Sequence, residues 1–228
     1  DDPATPNSGL ADIPLGIQTP AGSPQVDLVV SLPAGAGLQA DGPNVLLSNA
    51  QALIDLINRI EGKTIAGSAV QQEMAGQGID FLGALGSSVV LETKTLVPMV
   101  APGATLTQPI VITGSSTTPA SGAQNATAIA LVIDASGLPA NAVLQLDNVD
   151  FAAIVGAATL RGGSGENVVI GDGAAQNIFL GADDDQLYGG GGNDIVGSAG
   201  GNDLLDGGTG NDIVAGGIGN DSVGGDSG

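Results

Sequence analysis

The sequence has no cysteine, no histidine, few aromatic residues and few basic residues. Without cysteine it can form neither disulfides nor thiolate metal sites, so something else must stabilise the fold. Without histidine it cannot build an HExxH zinc protease or a Ser-His-Asp hydrolase. An aromatic content of 2% leaves little surface on which sugars or bases could stack. These absences argue against common hydrolases and against binding of carbohydrate or nucleic acid.

The charge is strongly one-sided, because 24 acidic residues face 4 basic ones and give a formal net charge of -20. This charge repels nucleic acids and anionic lipid surfaces and favours cations as partners. From Gly162 to the end there are 11 acidic residues and no basic residue. This segment therefore needs a counter-ion to stay compact. No apolar run approaches the roughly 20 residues of a membrane span, so no transmembrane segment is expected.

Composition divides the chain into three parts. Residues 1–25 are rich in Pro, Gly, Ser and Thr, which predicts an extended arm or linker without a fold of its own. Residues 26–161 contain short β-branched runs separated by turn residues and predict a β-rich, sandwich-like domain. Residues 162–228 are periodic. The chain starts without Met and ends partway through a repeat, which indicates a processed or trimmed piece of a longer protein.

One helix is predicted near residues 48–61. Ser48 and Gln51 have the spacing of a capping box, and Gly62 follows the last helical residue. Apolar residues recur at helical spacing at Leu53, Ile54, Ile57 and Ile60. The next segment carries only a weak helical pattern from Val70 to Met74. Its glycines predict loops instead, at Gly67, Gly76, Gly78, Gly83 and Gly86.

From Gly162 a unit of nine residues repeats seven times without insertion or deletion, and a stub of four residues follows. The eighth position is always apolar, at Val169, Ile178, Leu187, Val196, Leu205, Val214 and Val223. The sixth position is an amide in the first two units and aspartate in the others, at Asn167, Gln176, Asp185, Asp194, Asp203, Asp212 and Asp221. The fourth position is glycine in every unit except at Ala174 and Asp183.

Each column of the repeat has a physical role. Glycine allows a tight turn with positive φ and lets backbone carbonyl groups point at one spot. Calcium binds six to eight oxygens at about 2.3 to 2.6 Å, and the aspartate supplies the negative charge. The apolar residue starts a short strand whose side chain points inward. A flexible acidic linker, the simpler alternative, has no reason to keep an apolar residue at every ninth position.

The repeat resembles the RTX (repeats-in-toxin) nonapeptide family, whose pattern is G-G-x-G-x-D-x-U-x with U apolar. Residues 207–215 and 216–224 fit this pattern at every defined position. The first position departs from it at Leu180 and Ser198, and the second at Asp172 and Ala199. The resemblance implies a parallel β-roll over residues 162–228. The fold class predicted for the whole chain is therefore mainly all-β, with one helix and a C-terminal roll.

In the family two units make one coil, and calcium binds between turns that lie two units apart on the same edge. The resemblance therefore predicts sites at Asp185/Asp203, Asp203/Asp221 and Asp194/Asp212, with weaker ones beside Asn167 and Gln176, and about three to five calcium ions in all. The full set of predicted metal ligands adds the turn glycines and consists of Asn167, Asp185, Asp194, Asp203, Asp212, Asp221, Gly189, Gly190, Gly192, Gly207, Gly208, Gly210, Gly216, Gly217 and Gly219.

Two functions remain open at this point. One is a structural subunit of an extracellular assembly such as a filament, matrix, S-layer or adhesin, which would be a homo-oligomer or polymer. The other is the carrier part of a secreted RTX enzyme or toxin whose active domain is missing. The resemblance also implies export from a Gram-negative cell by type I secretion. No catalytic role is assigned to the three glutamates outside the roll, which are Glu61, Glu73 and Glu92.

Overall fold

The structure is a computed structural model that describes residues 9–17, 28–114 and 127–225. The strands before the repeats are β1 (Leu10–Pro14), β2 (Leu28–Pro33), β3 (Ala36–Asp41), β4 (Leu47–Ser48), β5 (Val90–Val100), β6 (Ile110–Gly114), β7 (Thr127–Asp134), β8 (Val143–Asp147), β9 (Phe151–Val155) and β10 (Thr159–Gly162). The helices are α1 (Asn49–Lys63) and α2 (Ala69–Ala84). The repeats form β11 (Val168–Ile170), β12 (Asn177–Phe179), β13 (Gln186–Tyr188), β14 (Ile195–Gly197), β15 (Leu204–Asp206), β16 (Ile213–Ala215) and β17 (Ser222–Gly224).

The strands form two sheets that face each other. Sheet one has the order β1-β2-β6-β8-β10-β12-β14-β16, and sheet two has the order β17-β15-β13-β11-β9-β7-β5-β3, with β4 paired to β5. From β5 onward successive strands alternate between the sheets and pair in parallel, so the chain winds as a solenoid. At the other end of the solenoid β1 pairs antiparallel with β2, β2 with β6, and β3 with β5. The parallel winding therefore ends at these strands. The predicted fold class is confirmed as mainly β with a C-terminal solenoid.

Neither sheet breaks at residue 162, where the predicted domain boundary lies. Strand β10 pairs with β8 on one side and β12 on the other, and β11 pairs with β9 and β13. One apolar core fills the space between the sheets from Leu28 to Leu205. The boundary therefore marks a change in sequence, from irregular connections to glycine turns, and the same winding continues across it.

Helix α1 begins directly after Ser48, as predicted, and ends two residues beyond the predicted end. The Ser48 backbone N–H donates to Gln51 Oε1 at 3.1 Å, which is the expected capping contact. The buried face consists of Ala52, Leu56 and Ile60, whereas Ile54 is 67% exposed. The helix lies against the outer face of sheet two, and of the predicted apolar face Ile60 is buried whereas Leu53 and Ile57 are only half-buried.

The prediction of loops after residue 67 is wrong, because Ala69–Ala84 forms the second helix, α2. Ser68 caps it by accepting from the Gln71 backbone N–H at 3.1 Å. Gly78 is buried where α2 crosses α1, and a Cβ placed there would lie 3.4 Å from Leu56 Cδ2. The glycine thus serves close helix packing here. Both helices bury a second apolar core against sheet two, made with Leu91, Ala128, Ala130, Val132 and Phe151 among others.

The segment predicted as an arm contains a strand. Leu10–Pro14 pairs antiparallel with Leu28–Pro33 as the terminal strand of sheet one, so this part of the arm is folded. Its backbone N–H and C=O groups gain ladder partners, which outweighs the loop-like composition. Residues 1–8 and 18–25 of the predicted arm lie outside the described residues.

In the described ranges neither helix has the length and apolar character needed to cross a membrane.

Candidate metal centre

The turns between the roll's strands stack along two edges, with an offset of 18 residues between neighbours. The first edge carries the sixth-position residues Asn167, Asp185, Asp203 and Asp221, and the second edge carries Gln176, Asp194 and Asp212. Strand register fixes this spacing, because Ile195 pairs with Ile213 and Gln186 with Leu204. The structure therefore brings together the residues of each predicted aspartate pair.

Each aspartate uses its two carboxylate oxygens differently. Oδ1 of Asp203 accepts from the Asp185 backbone N–H at 2.8 Å, and Oδ1 of Asp212 accepts from the Asp194 N–H at 2.9 Å. This contact fastens one coil to the next. In Asp185, Asp194 and Asp203 the Oδ2 atom is buried and has no hydrogen-bond partner among the residues that the structure describes. A buried, partnerless carboxylate oxygen is costly, and a bound cation would satisfy it.

The glycines of the repeat leave open the space that these oxygens face. A Cβ placed on Gly189 would lie 2.9 Å from Asp194 Oδ2 and 2.5 Å from the carbonyl oxygen of Gly207. A Cβ on Gly207 would lie 2.9 Å from Asp212 Oδ2, and one on Gly216 would collide with Asp221 Oδ2. Carboxylate and carbonyl oxygens from neighbouring coils thus converge, which is the kind of donor set that calcium prefers.

The other predicted glycines shape the turns. Six of them have positive φ, at Gly190, Gly192, Gly208, Gly210, Gly217 and Gly219. A side chain is strained in this conformation, so glycine is required where the turn reverses the chain. The turns keep the carbonyl groups of consecutive coils in line. Gly190 O, for example, accepts from the Thr209 N–H of the next coil at 2.8 Å.

The two edges are not equivalent, because two first-position glycines are replaced on the first edge. Leu180 is buried in the core there, and the Ser198 hydroxyl donates to the Gly181 carbonyl oxygen at 3.1 Å. Leu180 and Ser198 stand at the repeat position that Gly189 and Gly207 hold on the second edge, so the two edges differ in the residues that flank their aspartates.

Burial raises the pKa of Asp185 to about 7 and the pKa of Asp194 to about 6. Neighbouring carboxylates add to this effect, Asp203 and Asp183 for Asp185, and Asp212 and Asp172 for Asp194. Backbone N–H donors only partly offset it. The ionised roll is thus electrostatically strained without a cation. Within the described ranges no three His, Cys, Asp or Glu side chains gather as a metal cluster. The carboxylates of the roll stand instead beside backbone carbonyl groups, as Asp194 does beside Gly207.

The amide residues of the sixth column behave differently from the aspartates. Asn167 Nδ2 donates to the Val149 carbonyl oxygen at 2.7 Å, and Gln176 Nε2 donates to Asp172 Oδ1 at 2.6 Å. Their side-chain oxygens are buried without a partner. Asn167 Oδ1 faces Gly162, where a Cβ would lie 3.2 Å away, so it can still contribute one neutral oxygen to an ion.

Two aspartates that contact the turns were not predicted from the sequence. Asp172 stands where the repeat has its second glycine, and its carboxylate binds the Gly156 N–H, the Ala174 N–H and Gln176. Asp150 stands directly before β9, just as Asn167 stands directly before the paired strand β11. The Oδ2 atom of Asp150 accepts from the backbone N–H of Ile129, in the preceding coil, at 2.7 Å. The signal for Asp150 is the short Asp-Phe-Ala sequence, which matches the D-x-U part of the repeat.

Acidification is expected to strengthen the calcium-free roll. Because the pKa values of Asp185 and Asp194 are raised in the folded state, the folded coil binds protons more tightly than the unfolded chain, and this stabilisation is lost as pH rises through about 6 to 7. In calcium-free buffer, circular dichroism should show more β structure at about pH 5 than at about pH 8. Calcium affinity should fall over the same change. Equal β signals at both pH values would contradict this expectation.

Comparison with known protein families matches the RTX calcium-binding nonapeptide repeat in four copies, over residues 155–175, 161–196, 170–205 and 198–228. These copies cover less than half of the chain and leave the strands and helices before residue 155 unmatched. No curated protein matches the chain, and no solved structure does. Repeats of this family bind calcium. The oxygens that converge along both edges fit that ion, and the C-terminal region of this chain is a β-roll of RTX calcium-binding repeats.

Proposed function

We propose that this protein is a secreted structural subunit of an extracellular assembly, such as a filament, matrix, S-layer or adhesin. Calcium folds and stabilises its roll, and the protein has no catalytic activity of its own. The observation that carries the calcium part is the row of buried Oδ2 atoms on Asp185, Asp194 and Asp203. Without a cation these oxygens have no partner, and with one they join neighbouring coils.

An extracellular location supports the role of calcium as the stabilising element. RTX repeats are typical of extracellular proteins exported by type I secretion. The chain has no cysteine, so disulfides cannot supply the stability that small secreted domains usually take from them. Bound ions would also offset part of the net charge of -20, which otherwise drives copies of the protein apart.

The shape of the fold supports a role as a building block. The two sheets run from the antiparallel strands at one end into the roll, so the described part is a continuous two-sheet solenoid. Strands β1 and β3 are terminal strands, and among residues 9–17, 28–114 and 127–225 no strand pairs with their second edge. Such edges can accept a strand from another copy.

The absence of catalysis is proposed on chemical grounds. The sequence has no histidine to serve as a base. Glu92, one of the three glutamates outside the roll, is fully buried with Oε1 3.8 Å from Lys94 Nζ, so no substrate reaches it. Glu61 is exposed near the end of α1.

Assembly should be visible by sedimentation of the full chain in millimolar calcium, with imaging of the same sample. We expect species larger than a monomer that disappear on chelation. Gln39→Lys, on the terminal strand β3, should weaken assembly, because a lysine on an edge strand opposes pairing. Gln72→Lys, an equally charged change on the exposed face of α2, should not. A single monomeric species at high concentration would overturn the assembly role and favour the carrier of a missing enzyme or toxin domain.

A further inference from the structure

The first turn on the second edge is held by the side chains of Gln176 and Asp172 in addition to a backbone hydrogen bond from the Asn177 N–H to the Ala158 carbonyl oxygen at 2.8 Å. Gln176 Nε2 donates to Asp172 Oδ1 at 2.6 Å and to the Gly156 carbonyl oxygen at 3.3 Å. The other oxygen of Asp172 accepts from the Gly156 N–H at 2.9 Å, and Oδ1 also accepts from the Ala174 N–H. The amide group of Gln176 thus supplies hydrogen-bond donors that hold a carboxylate and a carbonyl of adjacent coils together.

The first turn on the other edge is closed in the same manner. Asn167 Nδ2 donates to the Val149 carbonyl oxygen at 2.7 Å, which lies 18 residues earlier. Asp150, beside it, is tied by Oδ2 to the Ile129 N–H at 2.7 Å. Here too a neutral amide binds a carbonyl oxygen of the preceding coil, and the contact needs no ion.

The later turns have no amide donor at the sixth position of the repeat. In place of an amide, the sixth position holds Asp185, Asp194 and Asp203, whose buried Oδ2 atoms have no hydrogen-bond partner. A carboxylate cannot donate a proton to a carbonyl of the neighbouring coil when it is ionised. The later coils keep the Oδ1 contacts with backbone N–H groups, but their ionised carboxylates repel one another where the first coil has amide donors.

The packing of the helices against the outer face of sheet two also changes between the first coil of the roll and the later coils. Phe151 and Ile170 are buried beneath the helices, and the rings of Phe151 and Phe81 lie 5.2 Å apart. Beyond α2 the outer faces of the sheets are open, since Leu204 is 39% exposed and Ile213 is 62% exposed. The first coil thus has apolar cover on both faces of sheet two, whereas this cover is reduced to Tyr188 in the next coil and the outer faces at Leu204 and Ile213 are exposed.

From these contacts we propose that residues 143–180 form a calcium-independent base, in which the Asn167 and Gln176 amides replace the ion, and that the later coils fold onto this base only when calcium binds. The proposal rests on calcium binding by the repeats and does not depend on the assembly of copies. It limits the need for a counter-ion, which the charge predicts for the whole segment from residue 162, to the coils after residue 180.

Hydrogen exchange of the full chain, read by mass spectrometry in chelator and in millimolar calcium, tests the proposal. In chelator the amides of β11 and β12 should exchange at least about tenfold more slowly than those of β14 and β16. In calcium all four strands should be protected. Equal exchange of the two groups in chelator, whether fast or slow, would overturn the proposal. The comparison is made within one molecule, so its result does not depend on whether copies assemble.

Two substitutions test the amides themselves. Gln176→Glu and Asn167→Asp keep the side-chain size and remove the donor, so β11 and β12 should lose protection in chelator and regain it in calcium. Asn167→Asp restores the aspartate of the repeat, so it should fold in calcium. It therefore still tests the role of the amides if the Gln176→Glu variant fails to fold. Gln186→Glu is the matched control, because it adds the same charge on the exposed face of β13. Unchanged protection of the Asn167→Asp variant in chelator would show that the amides are not the cause.

Discussion

Asp203→Ala is expected to remove more bound calcium than any other single substitution in the roll. Asp203 belongs to both aspartate-pair sites predicted on the first edge. Its Oδ1 accepts from the Asp185 N–H at 2.8 Å, and its own N–H donates to Asp221 Oδ1 at 3.1 Å. Alanine deletes the free Oδ2 and leaves the buried N–H of Asp185 unpaired, which costs about 1 to 3 kcal/mol besides the lost ions. Calorimetric titration should show about two ions fewer than for the unchanged chain.

Two controls separate ligand loss from loss of charge. Asp184→Ala removes the same charge from an exposed turn position and should leave the stoichiometry unchanged, although it breaks the contact with the Asn202 N–H. Asn167→Ala should remove at most one weak site, because the asparagine brings one neutral oxygen. If Asp203→Ala and Asn167→Ala bound equal numbers of ions, the assignment of shared sites along the first edge would be wrong.

Gly210→Ala is expected to unfold the outer coils even in saturating calcium. Gly210 has φ +139°, and a Cβ built there would overlap the carbonyl oxygen of Gly192 in the preceding coil. A flexible side chain could move aside, but a backbone carbonyl within a stacked turn cannot. Strain of this kind, added to a backbone overlap, should lower the free energy of unfolding by at least about 3 kcal/mol. Thermal unfolding in millimolar calcium, followed by circular dichroism, measures the change.

Gly62→Ala provides the matched control for this substitution. Gly62 lies in the last turn of α1, has no positive φ, and a Cβ there would meet no atom within 4 Å. Alanine should stabilise the helix by about 0.5 to 1 kcal/mol, because it loses less backbone entropy on folding. Equal effects of the two substitutions would mean that the close stacking of the turns at Gly210 is not what the structure shows.

The roll could be predicted from the sequence because the residues that specify it lie close together and recur in every repeat. An apolar residue at every ninth position specifies one inward side chain per strand, and the glycines specify the turns. The start of α1 was predictable for a similar reason, since Ser48 and Gln51 form a contact within one turn. Both are cases in which the chemistry that forms an element lies within a few residues.

The missed features depend on contacts that are distant in sequence. Gly78 in helix α2 indicates a loop when only the sequence is considered. The structure shows that this glycine allows α2 to pack closely against Leu56 of α1. Strands β5 to β10 wind like the roll, but their connections vary in length, so no period reveals them. From the sequence, Asn167 and Gln176 are interpreted as weak calcium ligands. The structure shows that their amides donate hydrogen bonds to Val149, Gly156 and Asp172, which are distant in sequence or irregular in the repeat.

The parallel winding also determines how the roll would respond to a pulling force. Each turn is hydrogen-bonded to the turn 18 residues away, so tension applied at the end that carries β17 loads one coil before the next. Releasing a coil frees about 60 Å of chain at roughly 3.3 Å per residue. With calcium between the turns, the roll would lengthen in discrete steps and rewind when tension falls, and the calcium concentration around the protein would set the force at which each step occurs.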